Sequence, residues 1–144
     1  MNKRKFECGQ SLVESAIIFP LTILFFLGVV DIGMLITNQI SIREAAQEAV
    51  IYASQEPTDH AEITNRALHT TSFPVDLVDS AVYIDIYDQD HNPAPACAGD
   101  GNMIEVTVRK NYHFLIPISS IIFEGGSVDL ESSQANLILS PQCP

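Results

Sequence analysis

The sequence predicts an α+β protein: one long N-terminal helix, half in a membrane, packed on a small antiparallel β-sheet domain with a short second helix. Three observations lead there. An apolar run starts near residue 15, an amphipathic helical stripe continues it without a break, and the second half of the chain carries alternating apolar and polar residues between Pro- and Gly-rich segments. Composition agrees with this division. Hydrophobic residues make up 47 % of the 144 residues, yet the formal net charge is −11. The two coexist because the apolar residues cluster in one segment and the acids in another.

Residues 1–9 form a short basic leader. Lys3, Arg4 and Lys5 lie here, leaving Arg43, Arg66, Arg109 and Lys110 as the only basic residues downstream, while every acid except Glu7 lies beyond the leader. A chain this acidic has no basic patch for nucleic acid, and that class of function is excluded.

Residues 10–55 read as one helix. From Ser15 to Ile36 the only charged residue is Asp31. That stretch, about 22 residues or roughly 33 Å of helix, is long enough to cross a bilayer core. The basic leader on the near side puts the N-terminus in the cytoplasm and the acidic bulk outside. A cleaved secretory signal fits poorly, because the run is too long and the helical pattern continues past it. Beyond the run, Ile42, Ala45, Ala46, Ala49, Val50 and Ala53 recur at helical spacing, and the small residues Ala45, Ala49 and Ala53 let another element approach closely. Pro20 removes one backbone hydrogen bond inside the span and is expected to bend it.

Residues 56–144 read as an extracytoplasmic α+β domain. Gln55-Glu56-Pro57 ends the long helix. Asp59, with Glu62 three residues on, is a capping pair for a short helix over about 59–71, which Phe73-Pro74 stops. In DSAVYIDIYDQD, Val82, Ile84 and Ile86 share one face, and Tyr83, Asp85 and Tyr87 the other. A loop follows over 89–101, then a second strand in MIEVTVRKNYHFLI with Ile104, Val106 and Val108 facing one way. A turn at Gly125-Gly126 leads to a last strand, SVDLESSQANLIL, giving a sheet of three or four antiparallel strands.

Candidate sites are few. The serines of GQSLVES lack the strand–turn–helix setting of a nucleophile elbow. His60, His69, His91 and His113 are scattered without triad or metal spacing, so no enzyme and no cofactor is expected. Asp88, Asp90 and Asn92 alternate like the start of a calcium loop, but Pro93 stands where a turn glycine belongs and no glutamate closes the loop. Cys97 and Cys143 both lie in the acidic part and could pair in an oxidising compartment, or be two unrelated thiols. Two acids touch the apolar run. Asp31 is costly at membrane depth unless paired or wet; alternatively the span ends there and the acid faces water. Glu14 lies near the cytoplasmic headgroups, five residues beyond Gly9.

A basic leader, a glycine, a glutamate five residues later and a long apolar helix resemble the class III signal of type IV pilin-like proteins. Gly9-Gln10-Ser11-Leu12-Val13-Glu14, Pro20, Gly28, Asp31, Gly33 and the Ala45/Ala46/Ala49 helix resemble the TadE-like family, the minor pilins or pseudopilins of the tight-adherence (Tad/Flp, type IVb) pilus system. The likeness covers residues 9–54 and loosens afterwards. Ser15 stands where the family often has an aromatic residue. The resemblance implies cleavage between Gly9 and Gln10 by a prepilin peptidase, with the helix retained. It also implies a structural part in pilus biogenesis, adherence or secretion, at the bacterial inner membrane, among other pilins or pseudopilins and the inner-membrane assembly platform. Glu14 would then offset the new amino terminus at Gln10, on its own or a neighbouring subunit. The other reading of the same residues is an unprocessed single-pass anchored protein with an extracytoplasmic binding domain, in which Glu14 is incidental.

Overall fold

The computed structural model describes residues 7–70, 75–78, 80–94, 101–116, 119 and 124–139. Helix α1 spans Glu7–Ala53, 47 residues, and continues through Pro20. At 1.5 Å per residue it is about 70 Å long. Helix α2 spans His60–His69. Strands β1 (Ala81–Tyr87), β2 (Met103–His113) and β3 (Ser127–Leu137) form one antiparallel sheet in the order β1-β2-β3. Among the described residues the sheet has three strands, the smaller of the two numbers the alternation allowed.

The second half of α1 is part of the folded body. Ile42, Ala45, Ala46, Ala49, Val50 and Ala53 are buried against Ile63 and Ala67 of α2 and against Ile104, Val106 and Val108 of β2. Alanines suit this interface because a short side chain brings the helix axis close to the sheet while adding no rotamer entropy cost. Register puts Val82, Ile84 and Ile86 of β1 beside Val108, Val106 and Ile104. Those six apolar residues form the inner face. On β3 the inner row begins with Val128 and Leu130 and continues with half-buried Ser132, Gln134 and Asn136, as an edge strand allows.

The outer face is polar. Arg109 meets Glu131 at 2.9 Å, and Thr107 and Ser133 share a hydrogen bond of 2.5 Å. α2 is capped as its sequence suggests, with Asp59 Oδ1 accepting the Glu62 N–H at 3.1 Å. Glu62 turns its own carboxylate forward, to Arg66 at 3.1 Å and Asn65 at 3.2 Å. Arg66 also stacks over Tyr52 at 4.2 Å and approaches Glu48 at 3.6 Å, which ties α2 to α1. Gly125 and Gly126, at φ +74° and +67°, make the turn into β3 with a backbone only glycine adopts without strain. The Leu139 N–H reaches the Ser54 carbonyl at 2.8 Å and closes the end of β3 onto the end of α1.

Candidate functional site

The first half of α1 has almost no protein around it. Between Ser11 and Val30 every residue is exposed except Leu24 and Gly28, which are half-buried. Leu12, Ile17, Ile18, Phe19, Phe25 and Phe26 are among the large apolar side chains left uncovered. In water such a surface would be strongly unfavourable, at about 25 cal/mol per Å² of apolar area. The most apolar part of this helix is 6 % buried, which separates it from the core helix of a globular protein. Hydroxyl side chains in this stretch bond back to their own helix, Ser15 to the Ser11 carbonyl and Thr22 to the Ile18 carbonyl, each at 2.9 Å. Their polar atoms are thereby satisfied without water.

Asp31 marks the point where the folded body meets this bare helix. It is 2 % exposed. One carboxylate oxygen accepts the Leu115 N–H at 2.9 Å, and the other accepts the Ile116 N–H at 3.0 Å. The Tyr112 hydroxyl donates to the carboxylate at 3.3 Å and lies 3.4 Å from the Asp31 carbonyl. Burial, and then the adjacent Asp31 carboxylate, raise the Tyr112 hydroxyl above its ordinary value, so it remains a donor at neutral pH. Tyr112 is held by an edge-to-face contact with Phe114, at 5.4 Å and 85°. Three residues before Asp31, on the same side of the helix, Ile116 Cδ1 stands 3.6 Å from the place a Cβ on Gly28 would occupy. The acid therefore neither faces water nor stands alone. It clasps the exit of β2 to the helix, and two fixed N–H dipoles offset the cost of burying its charge.

The other predicted site residues are spread along the chain. Gly9 and Gln10 lie in the first turns of α1, and Glu14 lies on its exposed part. Cys97 and Cys143 fall outside the described residues. Asp88 is occupied as a turn acceptor. Its Oδ1 takes the Asn92 N–H at 2.8 Å and the Asp90 N–H at 2.9 Å. The Asn92 N–H bond is the main reason its carboxyl sits below the ordinary value, helped by the Asn92 side chain, the Asp90 N–H and nearby His91, against some desolvation. Among the described residues no three His, Cys, Asp or Glu side chains come together as metal ligands.

Sequence reasoning found Asp31 but not its partners. Tyr112, Leu115 and Ile116 lie more than 80 residues away, and the one local signal was that the apolar–polar alternation of β2 gives way to the continuous apolar FLI after His113.

Residues 9–50 match the family model described as TadE-like protein. The chain carries a TadE-like segment. That segment covers the bare part of α1, Asp31 and the alanine-rich face through Ala49, so it joins anchor and folded body in one element. Comparison with curated proteins and with solved structures gave no significant match. The single apolar helix that carries this segment is consistent with a single-pass membrane anchor.

Proposed function

We propose that this chain is a minor pilin or pseudopilin of a Tad (Flp, type IVb) pilus, a structural rather than catalytic protein. On this reading a prepilin peptidase cuts between Gly9 and Gln10 on the cytoplasmic side. The retained helix anchors the subunit in the inner membrane, with the α+β body outside, until assembly platform and neighbouring pilins take it up for pilus biogenesis, adherence or secretion. The observation that carries the reading is the TadE-like match over residues 9–50, on a helix whose apolar half is left uncovered by its own domain.

The chemistry of the N-terminus fits. Cleavage at Gly9 would place a positive α-amino group on Gln10, four residues before Glu14 and so on the same side of the helix. A carboxylate in the first turns also complements the helix dipole. One such pair in a partly desolvated setting is worth at most a few kcal/mol, yet it would define axial position.

Co-expression with the cognate prepilin peptidase, followed by intact mass, tests the reading. Loss of the first nine residues is expected, and Gly9→Ala should block it. Glu14→Ala should be cut almost normally but assemble poorly. An uncut wild-type chain would leave the unprocessed single-pass anchor as the better account, and one cut beyond residue 30 would overturn both readings.

A further inference from the structure

We propose that Phe114–Ile116, the exit of β2, seats in the lipid beside α1 as a second membrane contact, with Asp31 as the clasp that holds it at that depth. The inference rests on the reading of α1 as a membrane anchor.

Depth is the first argument. The apolar run from Ser15 to Ile36 covers roughly 33 Å of helix, enough to cross a hydrocarbon core. Ile116 packs over Gly28, which is inside that length. A segment whose side chain rests on Gly28 shares its depth.

Its surface is the second argument. Leu115 is 63 % exposed, and its N–H bond to Asp31 sets it level with a stretch of helix on which Val29, Val30 and Ile32 are exposed too. Exposed apolar side chains on the helix and on the segment thus lie at one height, so the same solvent meets both.

Hydrogen bonding is the third. Non-helical backbone at membrane depth requires its N–H groups to be satisfied by protein. Phe114 N–H donates to the Gly126 carbonyl at 3.1 Å, and Leu115 and Ile116 N–H donate to the two Asp31 oxygens. All three amides are used. For a segment in water this arrangement would gain little, since water serves the same groups. In lipid it removes the largest obstacle to insertion.

The protein contains no tryptophan, so a single introduced indole reports its own surroundings. The full chain would be reconstituted in phosphatidylcholine vesicles, with and without brominated acyl chains, carrying Leu115→Trp, Val30→Trp or Tyr83→Trp one at a time. Position 30 marks the span, and position 83, 48 % exposed on the outer sheet face, marks water. The Leu115→Trp protein should emit at short wavelength and lose emission to brominated lipid about as strongly as Val30→Trp, while Tyr83→Trp is unaffected. Long-wavelength emission quenched by aqueous iodide would overturn the proposal. So would short-wavelength emission insensitive to brominated lipid, because a protein neighbour would then cover the site. If Val30→Trp itself escapes lipid quenching, the anchor reading has failed instead. Should Leu115→Trp not fold by circular dichroism, Leu115→Cys in a background with Cys8, Cys97 and Cys143 changed to Ser, carrying an environment-sensitive fluorophore, repeats the measurement.

Discussion

Replacing Asp31 by alanine deletes the acceptor of two short backbone hydrogen bonds and one longer hydroxyl bond. Hydrogen bonds to a charged group are worth about 1.5–3 kcal/mol each, and an abandoned buried N–H costs about 1–3 kcal/mol. Two abandoned amides set the scale, and relief from burying the carboxylate offsets part of it. The net loss should be about 2–4 kcal/mol. With a urea slope near 1.5 kcal/mol per M, as for a small domain, the unfolding midpoint of the chain in detergent micelles should fall by roughly 2 M. The loss is local before it is global. Amides of Leu115 and Ile116 should exchange with solvent deuterium between about 10- and 1,000-fold faster, at roughly 1.4 kcal/mol per decade, while those of β1 change little. Asp31→Asn keeps one acceptor oxygen and should show about half the effect. A midpoint shift under about 0.5 M, with unchanged protection at Leu115 and Ile116, would refute the clasp.

Three further outcomes follow from the rest of the molecule. Ala49→Leu forces extra volume between α1 and the sheet, where Ala49 is fully buried, and should cost about 1–3 kcal/mol, seen as a lower melting temperature by circular dichroism. Asp59→Ala removes the cap of α2 and should cost about 1 kcal/mol, with the earliest proton exchange in the amides at the start of that helix; unchanged exchange at Glu62 would contradict the capping role. Asp88 has its carboxyl lowered on folding, so its contribution to the 88–92 turn is present above the ordinary carboxylate value and is lost as pH falls through the lower folded value. A carboxyl-carbon NMR titration should find that lowered midpoint, with the Asn92 amide shifting in step.

Local patterns made much of the fold legible. The period of Ile42, Ala45, Ala46, Ala49, Val50 and Ala53 identified the buried face of α1, because a helix facing a sheet must repeat its small apolar residues every three or four positions. Alternation through Val82–Ile86 and Ile104–Val108 gave the inner face of the sheet, because strand side chains point to opposite sides in turn. Asp59 gave the start of α2, since its side chain serves an amide only three residues on. Less legible was the far half of β3. Ser132, Gln134 and Asn136 occupy inward positions with no apolar signal, and only pairing with β2 places them.

The sequence by itself determined that a long helix carries an apolar half and that an acidic α+β body follows it, because hydropathy and period are properties of neighbouring residues; that its own domain leaves this half uncovered was shown by the tertiary structure. The sequence also singled out Asp31 as the one charge within the run from Ser15 to Ile36, and left open whether that acid was paired or faced water. What that acid does was decided by tertiary structure alone. Its partners are backbone amides of Leu115 and Ile116, 84 and 85 residues away. An N–H group carries no side-chain signature, so no reading of residue types could have found them; only the folding of β2 back along α1 brings those donors to the carboxylate.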